Sequence, residues 1–281
     1  MSFVAHVECT VCGHRHDAKS VLSVCERCGQ MLAVRYDLER VRASVTKDAL
    51  RARPPGMYRF RELTPLDDGE EPVTLGEGGT PLLALPRLAA HFGLRHLWGK
   101  NEGQNPTGSF KARGLGMAIT KARGLGARGF LIPSAGNAGG AAAVYAARCG
   151  LACAVIVPRG TPPAAIAEAA IAGATVFTIE GSIATAGKVV AAVAPQIGWF
   201  DLSTLKEPYR LEGIWTAPES AALVAALTAL KARGDVGRDT EVMLILTGCG
   251  LKYEPPPLAA PVDLAGGEEE ILAQVRRVLR P

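Results

Sequence analysis

From residue 81 onward, short apolar runs alternate with longer segments in which apolar positions recur every three to four residues. The runs at 97–98, 130–133, 153–157, 175–179, 199–202 and 241–247 are strand-sized and predict strands. The segments 87–92, 109–123, 138–149, 164–172, 184–194 and 217–233 predict helices. Strands apolar along their whole length, separated by amphipathic helices, imply a parallel sheet covered on both faces, so the predicted class is α/β. Ahead of that pattern, 31–36 predicts a short strand and 38–53 a polar helix. Pro54-Pro55-Gly56 and residues 64–72 read as linking loops, and 268–279 as a terminal amphipathic helix.

Composition narrows the class. Of 281 residues, 48% are hydrophobic and 21% charged, which excludes a disordered chain. With 32 Gly and 19 Pro it is not fibrous either. The excess of 31 Lys and Arg over 27 Asp and Glu gives a net charge of +4. These charges are spread out, so no basic run marks a nucleic-acid partner. The N-terminus lacks the basic and apolar regions of a signal peptide. The most apolar stretch, 130–158, is interrupted by Ser134, Asn137 and Arg148, which predicts no membrane span. A cytoplasmic protein with reduced thiols is expected.

Four of the seven cysteines form a pattern. Cys9-Thr-Val-Cys12-Gly is followed, with 12 residues between Cys12 and Cys25, by Cys25-Glu-Arg-Cys28-Gly. Two such knuckles suit a tetrahedral zinc, because the short spacing lets two thiolates converge and each Gly permits the tight turn. Four thiolates leave no open coordination position, so Cys9, Cys12, Cys25 and Cys28 predict a structural Zn site. His14 and His16 read as solvated loop residues, and Cys149, Cys153 and Cys249 as small buried apolar ones.

Two glycine motifs fail on context. Gly124-Leu-Gly126-Ala-Arg-Gly129 matches G-x-G-x-x-G but is predicted to end a helix and enter a strand, the reverse of the nucleotide-binding order. Gly181-Ser-Ile-Ala-Thr-Ala-Gly187-Lys188 has one residue too many for a phosphate loop, and Val189 stands where a hydroxyl should meet magnesium. Asn105-Pro-Thr-Gly-Ser-Phe-Lys111-Ala-Arg-Gly114 carries more. Pro106 and Gly108 punctuate a loop, Ser109 is the predicted N-cap, and Lys111 falls in the first helical turn. The positive end of the helix dipole disfavours an ammonium there, which suits the neutral amine of Schiff-base chemistry. By spacing alone, a solvated lysine is the simpler reading.

That segment resembles the lysine motif of the fold type II, tryptophan-synthase-β-like enzymes that use pyridoxal 5'-phosphate (PLP), most closely threonine synthases. Cys25-Glu-Arg-Cys28-Gly running on to Val34-Arg-Tyr-Asp-Leu38 is similar to the zinc-ribbon opening of many threonine synthases. Gly76-Glu-Gly-Gly-Thr80-Pro-Leu82 resembles the family's G-E-G-x-T-P-L, and Lys100-Asn-Glu102 precedes the lysine loop as it does in the family. Ser134-Ala-Gly-Asn137-Ala-Gly-Gly140 resembles the asparagine loop, residues 202–213 read as family sequence, and Thr247-Gly-Cys-Gly-Leu-Lys-Tyr253 resembles the C-terminal signature.

The resemblance implies a zinc-ribbon-like segment at 1–36 and a PLP-dependent fold type II region at 37–281, with parallel sheets flanked by helices. It implies that Lys111 forms the Schiff base with PLP and then acts as acid and base. Asn137 would bond the cofactor's 3′-oxygen, Thr247 would face its pyridine nitrogen, and Ser134, Ala138 and Gly139 would receive the substrate carboxylate. The implied reaction takes O-phosphohomoserine and water to threonine and phosphate, in a possible homodimer. Rival readings are another fold type II enzyme (cysteate synthase or dehydratase), a non-catalytic truncated homologue, and a zinc-ribbon nucleic-acid binder disfavoured by the weak charge.

One family part is missing. The Gly-rich loop that holds the cofactor phosphate has no counterpart, and Tyr209-Arg-Leu-Glu212-Gly213 passes directly to Ile214-Trp215, which resembles sequence nearer the family's C-terminus. An internal deletion of roughly a hundred residues between 213 and 214 is expected, about one domain's worth. Charge-assisted bonds to phosphate are worth about 1.5–3 kcal/mol each, so losing two weakens cofactor binding about a hundredfold or more. Impaired activity is therefore expected.

Overall fold

The computed structural model describes residues 3–204, 208 and 220–248. The chain opens with an antiparallel sheet of order β2-β1-β3, built from β1 (Val4–Cys9), β2 (Arg15–His16) and β3 (Leu32–Tyr36). One face buries Val7, Cys9, Leu32 and Val34 in the same apolar cluster as the central helices, while Arg35 pairs with Glu8 on the other at 3.0 Å. The sequence pattern predicts neither β1, whose apolar positions are broken by His6 and Glu8, nor β2, which is only Arg15-His16.

The helix expected over 38–53 is two helices, α1 (Leu38–Ser44) and α2 (Lys47–Ala52). Val45 is extended, and the Thr46 hydroxyl accepts the Ala49 N–H at 3.1 Å, so a new N-cap interrupts the helix. A 3₁₀ stretch, Met57–Leu63, follows.

Two further sheets carry the rest. The first strands and helices are β4 (Leu82–Ala84), α3 (Pro86–His91), β5 (Leu97–Asn101), α4 (Lys111–Gly124) and β6 (Gly129–Pro133). They are followed by α5 (Asn137–Arg148), β7 (Ala152–Pro158), α6 (Pro163–Ile171), β8 (Thr175–Ile179), α7 (Ile183–Ile197) and β9 (Phe200–Asp201). The last are α8 (Ser220–Ala232) and β10 (Val242–Leu246).

The sheet β8-β7-β6-β9 is parallel throughout, as the alternating pattern predicts. In the sheet β10-β5-β4, β10 runs parallel to β5, but β4 is antiparallel to it. The strand β4, Leu82-Leu83-Ala84, is apolar but too short to show a strand period, and it lies exposed at the edge of its sheet.

The core lies where α4 and α5 cover the larger sheet. Leu115, Ile119, Phe130, Ile132 and Tyr145 are fully buried there. Gly116 sits directly against the Tyr145 ring, so a side chain on it would collide, and Ala141, Ala142 and Ala143 line α5 with equally small groups. Cys153 is buried as expected, and Cys149 is only partly so. Cys249, residues 251–253, the predicted helix at 268–279 and most of 205–219 lie outside the described residues. Among those described, no helix is long and apolar enough to cross a membrane.

Candidate active site and cysteine cluster

The loop 105–110 and the end of β10 meet at the N-terminus of α4. The Phe110 N–H donates to the Thr247 carbonyl at 2.9 Å, and Ser109 forms an isolated antiparallel bridge with Gly248. Ser109 is therefore not the N-cap that its position suggested: its backbone pairs in extended form, Phe110 occupies the cap, and Lys111 opens the helix. A side chain at Gly248 would start 3.5 Å from Asn137 Nδ2 and 3.8 Å from Ser109 Cβ, so the Asn137 amide reaches the same spot. The loop at 108–110, Asn137 and residues 247–248 thus converge.

Around this point lies a cavity of about 620 Å³, with Thr107, Gly108, Gly136 and Asn137 in its wall. The hydroxyls of Thr107 and Ser109 are buried without a hydrogen-bond partner among the described residues. Such groups suit a polar ligand that supplies the missing bonds. Lys111 itself lines neither this cavity nor its neighbour, and its Nζ lies 4.4 Å from the Phe110 ring centroid.

The turn before α5 is braced from within. Ser134 Oγ accepts the Gly139 N–H at 2.8 Å, so both residues already bond to each other. Ala138 follows Asn137 in the first turn, half-buried. Gly139 packs against Ser134 and Val155 where a Cβ would not fit.

An ion-pair network holds the lysine loop. Glu102 accepts Arg113 Nε at 2.6 Å and Nη2 at 2.8 Å, the Thr80 hydroxyl at 2.6 Å and the Asn105 amide at 2.9 Å. Asn105 Oδ1 in turn accepts the Gly78 N–H at 3.0 Å, tying the Gly76–Thr80 loop to the lysine loop. Burial alone would raise the Glu102 carboxyl, but Arg113, Thr80 and Asn105 outweigh it and hold its pKa at about 2. Deeper in, Glu77 accepts the Tyr145 hydroxyl at 2.6 Å, and burial together with the Glu77 charge pushes the Tyr145 phenol up. Lys121 on α4 pairs with Asp67 at 2.5 Å. Sequence reasoning missed these partners. Glu77, Glu102 and Arg113 stood in the quoted motifs, yet spacing does not pair residues from separate loops.

The four cysteine sulfurs all lie within 4.8 Å of one another, placed to hold a metal ion. Cys9 Sγ is 3.5 Å from Cys28 Sγ, and Cys12 Sγ is 3.7 Å from Cys25 Sγ. These separations fit tetrahedral thiolates around zinc, with the left-handed turns at Gly13 and Gly29 closing each knuckle. His14 is exposed as expected. His16 is not solvated: it is buried on β2, facing the cluster, because strand alternation turns it inward.

Residues 73–212 match a family described as pyridoxal-phosphate dependent enzyme. The chain belongs to that family. Curated threonine synthases are similar to it. That of Methanocaldococcus jannaschii is 37% identical over 206 residues, 73% of this chain and 50% of the relative. That of Mycobacterium leprae is 42% identical over 166 residues, 58% of this chain and 46% of the relative. The chain thus spans about half the length of the curated relatives it matches. A crystallised O-ureido-L-serine synthase variant superimposes with a TM-score of 0.51 at 16% identity, over 71% of this chain and 96% of that one. At that identity the likeness concerns the fold alone. Family membership implies PLP as cofactor, and the Asn137 amide beside partnerless buried hydroxyls suits a polar aromatic ring.

Proposed function

We propose that this chain is a threonine-synthase-like carbon–oxygen lyase acting on O-phosphohomoserine and water to give threonine and phosphate, with impaired turnover. The convergence of the loop residues just before Lys111 with Asn137 and the 247–248 segment supports this reading. Bound PLP supplies the electron sink for proton loss and phosphate elimination. Lys111 would hold the cofactor and move protons at the substrate carbons. Asn137 would hold the cofactor through its amide, and Thr247 would offer it a hydroxyl rather than a carboxylate. The turn at Ser134, Ala138 and Gly139, at the start of α5, receives the substrate carboxylate. The absence of a Gly-rich phosphate loop from the sequence supports weak cofactor retention.

Cys9, Cys12, Cys25 and Cys28 bind a structural zinc under the same proposal, in the zinc-ribbon-like segment 1–36. The rest of the chain, 37–281, forms the PLP-dependent region.

The test is borohydride reduction with PLP, followed by peptide mass mapping and a phosphate-release assay. Covalent cofactor on Lys111, lost in Lys111→Ala, with phosphate release well below an ordinary enzyme rate, is expected. Full-rate release would overturn the impairment. Failure to trap cofactor on Lys111 would favour the non-catalytic homologue, the second reading that the missing loop supports. Turnover of a different substrate in a panel would instead favour a cysteate synthase or dehydratase.

A further inference from the structure

His16 lies where an apolar residue is expected. On the two-residue strand β2 it pairs with Val7, while Arg15 pairs with Glu8, so the imidazole shares the inner face with Val7. Its side chain is only 2% exposed. A buried imidazole is costly unless its nitrogens find partners. Nε2 lies 3.4 Å from Cys25 Sγ, itself a buried sulfur. Nδ1 lies 3.5 Å from the carboxylate of Glu26, which is largely exposed and contributes little. The His14 ring meets His16 edge to face, with centroids 4.7 Å apart.

We infer that His16 is a positioning residue of the cysteine cluster, donating its Nε2–H to the Cys25 thiolate in the metal-loaded state. A neutral thiol is a weak acceptor, whereas a thiolate is a good one, so the partner that compensates this burial is Cys25 as a metal ligand. Both buried sulfurs have backbone donors, Cys9 from the Cys12 N–H at 3.4 Å and Cys25 from Arg27 and Cys28, and at Cys25 the His16 imidazole is placed to add a side-chain N–H. His16 is not itself a ligand, since the four sulfurs form a closed set and a structural zinc takes four donors. Its N–H fixes the Cys25 side chain and disperses the charge that four thiolates build up. The inference rests on the four cysteines binding zinc.

The experiment is competition for zinc between the full chain and a chromophoric chelator, with cobalt spectra of the same proteins. Wild type should hold one zinc. His16→Ala should weaken it by about 10–100-fold. His16→Leu, which fills the space without a donor, should weaken it similarly, and His16→Gln, which keeps an N–H, should recover part of the loss. The cobalt spectrum should be that of four sulfur ligands in every protein. Wild-type affinity in His16→Leu would overturn the inference. So would a sulfur–nitrogen spectrum in wild type that is lost in His16→Ala, which would make His16 a ligand. A wild type that binds neither metal fails at the zinc reading itself, seen before any variant is compared.

Discussion

The cysteine cluster and the lysine loop are assembled in opposite ways. Four sulfurs come within 4.8 Å of one another from residues 9–28, a short span closed by two tight turns. The lysine loop instead depends on Asn137, Gly248 and the loop at 76–80, which are far from it along the chain. In the first case local geometry alone brings the sulfurs together, and the sheet there has only a few buried apolar residues. In the second, an ion-pair network and a large apolar core hold the loop against the entropy of ordering it. A short segment can thus specify a metal site alone, while a cofactor site needs the whole fold.

Metal removal tests that contrast most severely. Structural zinc contributes on the order of 10 kcal/mol in small zinc domains. Chelation should therefore abolish amide-exchange protection in β1–β3 and leave β6 and β7 protected. Protection that survives in β1–β3 would mean that Val7, Leu32 and Val34 hold the sheet by packing alone.

Arg113→Ala addresses the other side. It leaves Glu102, whose side chain is 5% exposed, without its cation, and should cost about 3–5 kcal/mol in denaturant unfolding while zinc affinity stays unchanged. Because the Glu102 pKa is depressed from 4.5 to about 2, its contribution is present above pH 4.5 and is lost as pH falls toward 2. Stability should drop over that window in wild type and less steeply in Glu102→Gln. Equal slopes would show that the pair is not coupled to folding.

Smaller effects sharpen the picture. Tyr145→Phe removes a donor from buried Glu77 and should cost about 1–3 kcal/mol. Thr46→Ala removes only an N-cap at the start of α2 and should cost about 1 kcal/mol, with no change in zinc or PLP binding.

The alternation of apolar runs and amphipathic helices made most of the larger sheet and its helices legible, since each element buries a whole strand or a helix stripe. Strands β2 and β4 were not legible because two or three residues carry no period, and β1 was not because His6 and Glu8 interrupt its apolar positions. The single helix read over 38–53 failed for a related reason: periodicity could not weigh the cap at Thr46 against helix continuation. Lys111 and Asn137 stand in motifs legible in the sequence, whereas the reading of Ser109 as a cap fails because it pairs with Gly248, more than 130 residues away.

The sequence by itself determined the α/β class, the two cysteine knuckles and the lysine and asparagine loops, because each is encoded within a few tens of residues. Only the tertiary structure decided that His16 turns inward onto Cys25, that Glu102 and Arg113 pair beneath the lysine loop, and that Gly248 meets Asn137. Those are contacts between elements. Burial and charge pairing select them only after the chain has folded, and no local period records them.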